Sequence, residues 1–238
     1  MIIFDGVDIQ SVAKVQIVDV HVSPISYEVA ARPNAIAPGS AFIRNRCGTR
    51  SVVITFALKE EEMNLRQNFL IAVNEWAKSD KEYKLEIPGH PNHYLMAVCT
   101  EKPSPSLRQW WEAGLRLVFT CFENPFWTDK AEKSVACGTA FTALGDAPPL
   151  MRIERTLASS ASSQSYGLNG NTITFSTIPA GDMVIDLDKQ TAVVGSSSIM
   201  QYYNVNSKFL IPKVGTQTVT GTGTVKYRER WQYWSASS

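Results

Sequence analysis

The sequence predicts a mainly β chain built as two units, the first carrying one α-helix and the second an antiparallel sandwich. Three observations predict this. A single segment, Lys59 to Ser79, has strong helical periodicity, and most of the rest reads as short strands between proline- and glycine-rich turns. An apolar strand, Leu115 to Phe122, is broken by Asn124-Pro125 and followed by the bulky pair Phe126-Trp127. Beyond that pair the composition shifts to Thr-, Ser- and Gly-rich stretches without helical pattern. At 238 residues the chain can hold two domains, each with its own core.

In chain order, Val12 to Val20 alternates as a half-buried strand, and Ile25 to Val29 offers another. Ala30 to Ser40, with two prolines and the turn signal Pro38-Gly39, reads as a long loop. Loops of that length in compact domains are usually functional or touch a neighbour. Ser51 to Leu58 resumes as a strand with Val52, Ile54, Phe56 and Leu58 on one face. In the helical segment, Leu65, Phe69, Ala72, Val73 and Trp76 share a face. Glu60, Glu61 and Glu62 stand at its N-terminal end and Lys78 near the other, as the helix dipole favours.

Strands return at Tyr83 to Ile87, Tyr94 to Lys102 and Leu115 to Phe122. In the last, Leu115, Leu117, Phe119 and Cys121 take one face and Val118 and Phe122 the other, which predicts cover on both sides. A small, polar linker is expected from Thr128 to Pro149, giving domains 1–135 and 136–238. In the second, Asn169-Gly170 between Tyr166–Leu168 and Thr172–Phe175 is a type I′ hairpin signal. Short strands at this spacing suggest an antiparallel sandwich, and Thr224 to Trp231 closes the chain as an alternating strand.

The net charge of +1, from 23 basic and 22 acidic residues, does not suit a non-specific nucleic-acid binder. The N-terminus lacks the pattern of a secretory signal, and no run of 18 apolar residues is present, so a soluble chain made in a cytoplasm is expected, without a membrane partner. Cys47, Cys99, Cys121 and Cys137 show no Cys-x-x-Cys spacing, and no disulfide framework is expected.

The residues that could carry chemistry have simpler explanations. His90-Pro-Asn-His93 has a spacing two imidazoles can use to share a metal, but it lacks a third ligand, and its prolines place it in a solvated turn. Asp182, Asp186 and Asp188 suggest a calcium cluster, but alternation opposite Met183, Ile185 and Leu187 makes a solvated strand face the better reading. No nucleophile elbow, phosphate-binding loop or dinucleotide fingerprint is present. No catalytic residue, cofactor or metal is therefore assigned, and a β-rich hydrolase has no residue set to support it. Trp110-Trp111 remains open: one ring faces water as an interface anchor, or both fold beneath the hairpin. With Pro38 and Gly39 these tryptophans form the expected protein interface.

Taken together, Pro38–Phe42, the strand ending Ile54-Thr-Phe56, one helix and Leu117–Trp127 precede a second unit with Ala180–Asp188, Phe209–Gly215 and Val225–Trp231. This pattern resembles the distal tail protein family of long-tailed bacteriophages across nearly the whole chain. The resemblance implies an N-terminal β-sandwich with one helix and a C-terminal galectin-like β-sandwich. It also implies a structural virion protein of the tail tip, a six-membered ring that joins the tail tube to the hub protein and lets DNA pass. Its partners would be other copies of itself, the tail tube protein, the hub protein and receptor-binding proteins. The alternative is a carbohydrate-binding adhesin acting through the second sandwich. Galactoside binding of the galectin kind is not expected, because Thr128 to Arg230 contains no tryptophan and no histidine follows His93. Tyr202 and Tyr203 offer a weaker stacking platform.

Overall fold

The computed structural model describes residues 1–33, 40–59, 63–103 and 115–233, and the chain divides into two compact units, Met1–Trp127 and Thr128–Ser238. The fold is mainly β, with one α-helix of more than a turn among the described residues. No helix among them is long and apolar enough to cross a membrane.

The first unit runs β1 (Ile3–Phe4), β2 (Val7–Asp8), the single turn α1 (Ile9–Val12), β3 (Val15–Val22), β4 (Tyr27–Pro33), β5 (Ser40–Cys47) and β6 (Arg50–Leu58). The helix α2 (Met63–Trp76), β7 (Tyr83–Glu86), β8 (His93–Glu101) and β9 (Leu115–Cys121) complete it. Its strands pair antiparallel in the order β3-β6-β9-β8-β7-β1-β2. Period-two alternation decides what is inside: Val52, Ile54 and Phe56 of β6 are fully buried, as are Leu117, Phe119 and Cys121 of β9. Aromatic rings lock the helix to the strands. Phe4 lies 5.8 Å from Trp76 and 5.0 Å from Phe119, and Trp76 lies 6.1 Å from Phe119. The Trp76 indole also donates to the Val7 carbonyl at 2.8 Å.

Three expectations are corrected here. Val118 on the second face of β9 is buried as expected, but Phe122 is 53% exposed and lies past the end of the strand. The Glu82 carboxylate accepts the amides of Phe122 and Glu123, which turns the chain before a second face can continue. In α2 the expected stripe holds at Val73, which is buried, and at Trp76, which packs on Phe4 and Phe119, but Leu65 is exposed and Leu70 and Ala77, the latter just beyond the helix, join the inward face. Glu60, Glu61 and Glu62 lie outside the described residues. Most of the ends of the expected Ala30–Ser40 loop are strand, because β4 and β5 pair from Tyr27↔Cys47 to Pro33↔Ser40. Pro33 is tolerated there as the last residue of its strand, where no amide donor is required.

The short strand β10 (Trp127–Asp129) spans the division between the units. The second unit continues with β11 (Lys133–Ala136), β12 (Ala140–Ala143), β13 (Ala147–Leu157), β14 (Ala161–Leu168), β15 (Asn171–Ile178) and β16 (Gly181–Asp186). It ends with β17 (Thr191–Val194), β18 (Ser197–Ser198), β19 (Gly215–Thr218) and β20 (Thr224–Trp231). One layer has the order β18-β17-β16-β13-β20-β11. The other joins the β12–β19 pair and the β14–β15 hairpin through reciprocal backbone bonds between Gly167 and Thr220, at 3.1 and 2.8 Å. Ile153, Ile185 and Val225 from the first layer pack with Ile173 and Phe175 from the second in one core. Asn169 and Gly170 have φ of 51° and 83°, the left-handed pair that a type I′ turn requires.

The expected linker from Thr128 to Pro149 is corrected, since it holds β11, β12 and the start of β13. The boundary expected at 135/136 falls inside β11, whose residues Lys133–Ala136 pair with Tyr227–Thr224 and so belong to the second unit. The four-residue strands KSVA and AFTA are too short to show a period. Pro148 and Pro149 sit where the β13–β20 register shifts, between Ala147 and Leu150, so their missing donors cost no ladder bond.

Candidate interaction surfaces

The residues expected to form an interface, Pro38, Gly39, Trp110 and Trp111, lie outside the described residues. What is described is the base of the β4–β5 hairpin. The β4–β5 hairpin pairs with no other strand among the described residues. At its base, the Ser26 hydroxyl donates to the Thr49 carbonyl at 2.9 Å and accepts the Thr49 amide at 2.8 Å. The backbone of Ser26 bonds to both Thr49 and Gly48 at 2.8 Å, and the Ser51 amide donates to the Ser23 hydroxyl at 2.8 Å. Gly48 is needed for this closure, because a Cβ there would stand 2.6 Å from the Ser26 hydroxyl oxygen. The hairpin therefore leaves the unit through a hydrogen-bonded neck. Serines and threonines at a strand end give no periodic signal, so sequence reasoning missed it.

The anchor Trp127 is buried, as the strand–break–anchor pattern predicts. His90 stacks on its ring at 4.2 Å, and the Arg50 guanidinium carbon lies 5.9 Å from the ring centre. His90 is thus half-buried packing, where a solvated turn residue had been expected. Burial first, and then the charges of His93 and Arg50, hold its pKa below the usual imidazole value. No group of three or more His, Cys, Asp or Glu among the described residues is placed to hold a metal.

Asp182, Asp186 and Asp188 alternate with buried Met183, Ile185 and Leu187, the strand-face arrangement expected. Each has a partner of its own. Asp182 accepts from the Thr156 hydroxyl at 2.6 Å, Asp186 caps the amides of Asp188 and Lys189, and Asp188 binds Arg230 at 2.9 Å. The neighbouring face of β13 and β20 carries an internally neutralised ladder. Glu132 holds Arg152 through two bonds of 2.8 and 2.9 Å, Arg152 reaches Glu154 at 2.6 Å, and Glu154 reaches Lys226 at 2.8 Å. Lys226 and Arg152 together hold the Glu154 carboxyl below its usual range.

Cys99 and Cys121 are poor nucleophiles. Burial pushes Cys99 up to about 11 and Cys121 up to about 12, and the four cysteines are free. Tyr203 is committed to packing: its hydroxyl donates to the Ser207 carbonyl at 2.7 Å and its ring lies 6.4 Å from Phe209. The Trp231 indole likewise donates to Asp129 at 3.0 Å.

A second feature the sequence did not announce is an amide clasp. The Asn169 side chain donates to the Ile211 carbonyl at 3.0 Å, and Asn171 donates to the Phe209 carbonyl at 3.2 Å. Gln217 both accepts from the Lys213 amide, at 3.3 Å, and donates to its carbonyl, at 2.9 Å. Together with backbone bonds from Asn204 to Thr174 and from Lys208 to Thr172, the clasp lays the irregular segment 204–213 along β15.

No protein-family model matches the chain, and no curated protein sequence does. Two solved phage structures illustrate what its fold is similar to. The phage P2 baseplate in its activated conformation with Ca contains a chain matched over 94% of this one and 93% of that one, at 9% identity and a TM-score of 0.49. The SPP1 Dit (gp 19.1) protein, described as a paradigm of the hub adsorption apparatus in phages that infect Gram-positive hosts, matches at 17% identity. That match covers 96% of this chain and 98% of SPP1 Dit with a TM-score of 0.73, so from end to end the chain has the fold of SPP1 Dit.

Proposed function

We propose that the chain is a distal tail protein, a non-enzymatic structural component of the hub in a phage tail tip. The observation that carries this reading is the correspondence with SPP1 Dit over both units, in a chain whose sequence offers no catalytic residue set. Six copies close into a ring that seats the tail tube on one side and the hub protein on the other, and DNA passes through the opening. The N-terminal unit makes the ring, and the C-terminal sandwich projects as a spacer or docking surface for receptor-binding proteins. Ring closure needs a heterologous contact in which different patches of neighbouring subunits meet. The β4–β5 hairpin is one such patch, and Trp110-Trp111 is the proposed counterpart. An isolated two-stranded hairpin is marginally stable in water, so seating it on a neighbour supplies the missing cover.

Light scattering over a concentration series, with negative-stain imaging, tests this reading with and without the adjoining hub protein. A closed ring is expected in at least one condition. A strict monomer in both would overturn the assembly.

A further inference from the structure

Among the apolar residues left exposed, three fall on the segment that the amide clasp ties to β15. Val205 is 87% exposed, Ile211 53% and Val214 48%. Single exposed apolar side chains are ordinary on soluble proteins. Three within one irregular segment, on a backbone fixed at Asn204, Lys208, Phe209, Ile211 and Lys213, are a different matter. A fixed backbone lowers the ordering cost of binding, so these side chains are displayed ready for contact.

Charge narrows the choice of occupant. From Lys189 to Arg228 the sequence contains no Asp or Glu. Lys208 and Lys213, both exposed and flanking Ile211, make no ion pair among the described residues. On the β13–β20 face of the same unit, Lys226 and Arg152 are matched by Glu154 and Glu132. The two lysines of the segment are therefore without an acidic complement among the described residues, set beside apolar side chains that are exposed.

We infer that Asn204–Val214 is a docking strip for a different protein of the same particle, one that presents acidic side chains around an apolar surface. The inference rests on the proposed place of the chain in a phage tail tip, where the first unit is occupied in ring contacts and the second is left to meet another protein. Apolar contact supplies the affinity, and the Lys208 and Lys213 pairs set register and on-rate.

Zero-length carbodiimide cross-linking of purified particles tests this, because it joins lysines only to carboxylates in direct contact. Peptides containing Lys208 or Lys213 are expected to be linked to Asp or Glu of another protein. In particles carrying the double variant Val205→Asp/Ile211→Asp those links should fall about tenfold, the loss expected when central apolar anchors are removed. The isolated variant should melt within 2 °C of the parent (roughly, for exposed sites). Lysines that stay unlinked, that link only to other copies of this chain, or that remain linked in the variant would overturn the docking strip while leaving the tail-tip reading intact. Absence of the chain from purified particles would overturn both.

Discussion

Phe119 sits fully buried where three rings meet, and its removal isolates the helix from the strands it packs on. Phe119→Ala should destabilise the first unit by about 3 to 5 kcal/mol, the usual cost of truncating a buried aromatic. A reversible denaturant melt that moves by less than about 1 kcal/mol would contradict the aromatic cluster as the centre of that core. His90 gives a pH signature. Its pKa is lower in the folded chain than in the unfolded one, so the unfolded state binds the proton more tightly. Stability from this group is therefore intact above the unfolded value of about 6.5 and declines as pH falls from there to the lower folded value. The parent should lose stability between pH 7 and pH 5 relative to His90→Gln. Parallel pH curves for the two proteins would show that the imidazole binds its proton equally well in both states.

At the scale of the element, the hairpin neck makes the sharpest prediction. A methyl group at Gly48 would collide with the Ser26 hydroxyl that closes the neck, while the core strands lie elsewhere. Gly48→Ala should speed amide exchange at Thr49 and weaken ring assembly, with a global cost below about 2 kcal/mol. Unchanged exchange at Thr49 would mean the neck does not hold the hairpin. The contrast between elements also explains what was legible in the sequence. β6, β9 and β20 announce themselves because one or both faces are buried and the alternation is long enough to read. The Asn169-Gly170 turn was legible because its φ values demand those residues. β11 and β12 were not, since four residues are too few to carry a period and their pairing depends on distant Tyr227 and Gln217. The neck, the His90–Trp127 stack and the amide clasp were hidden for the same reason. Each joins residues far apart in the chain through polar atoms, and hydrophobic periodicity does not record such contacts.

For the whole molecule, the two units carry separate cores, which predicts that the second folds alone if it keeps all its strands. A fragment 128–238 should give a dispersed amide NMR spectrum. A fragment starting at 145 loses β11 and β12, together with Lys133, which neutralises buried Glu229 at 2.6 Å, and should be visibly less stable. Equal stability of the two fragments would show those strands to be dispensable. All three histidines, His21, His90 and His93, belong to the first unit. The second unit thus contains no side chain whose ordinary titration falls between about pH 5 and 8. Acidic and neutral habitats look alike to it. Ionic strength is the variable it feels: at 1 M salt, screening shrinks the reach of Lys208 and Lys213 to about 3 Å, from about 8 Å under physiological conditions. A protein that docks on that segment should associate more slowly in brine and at an unchanged rate in mild acid.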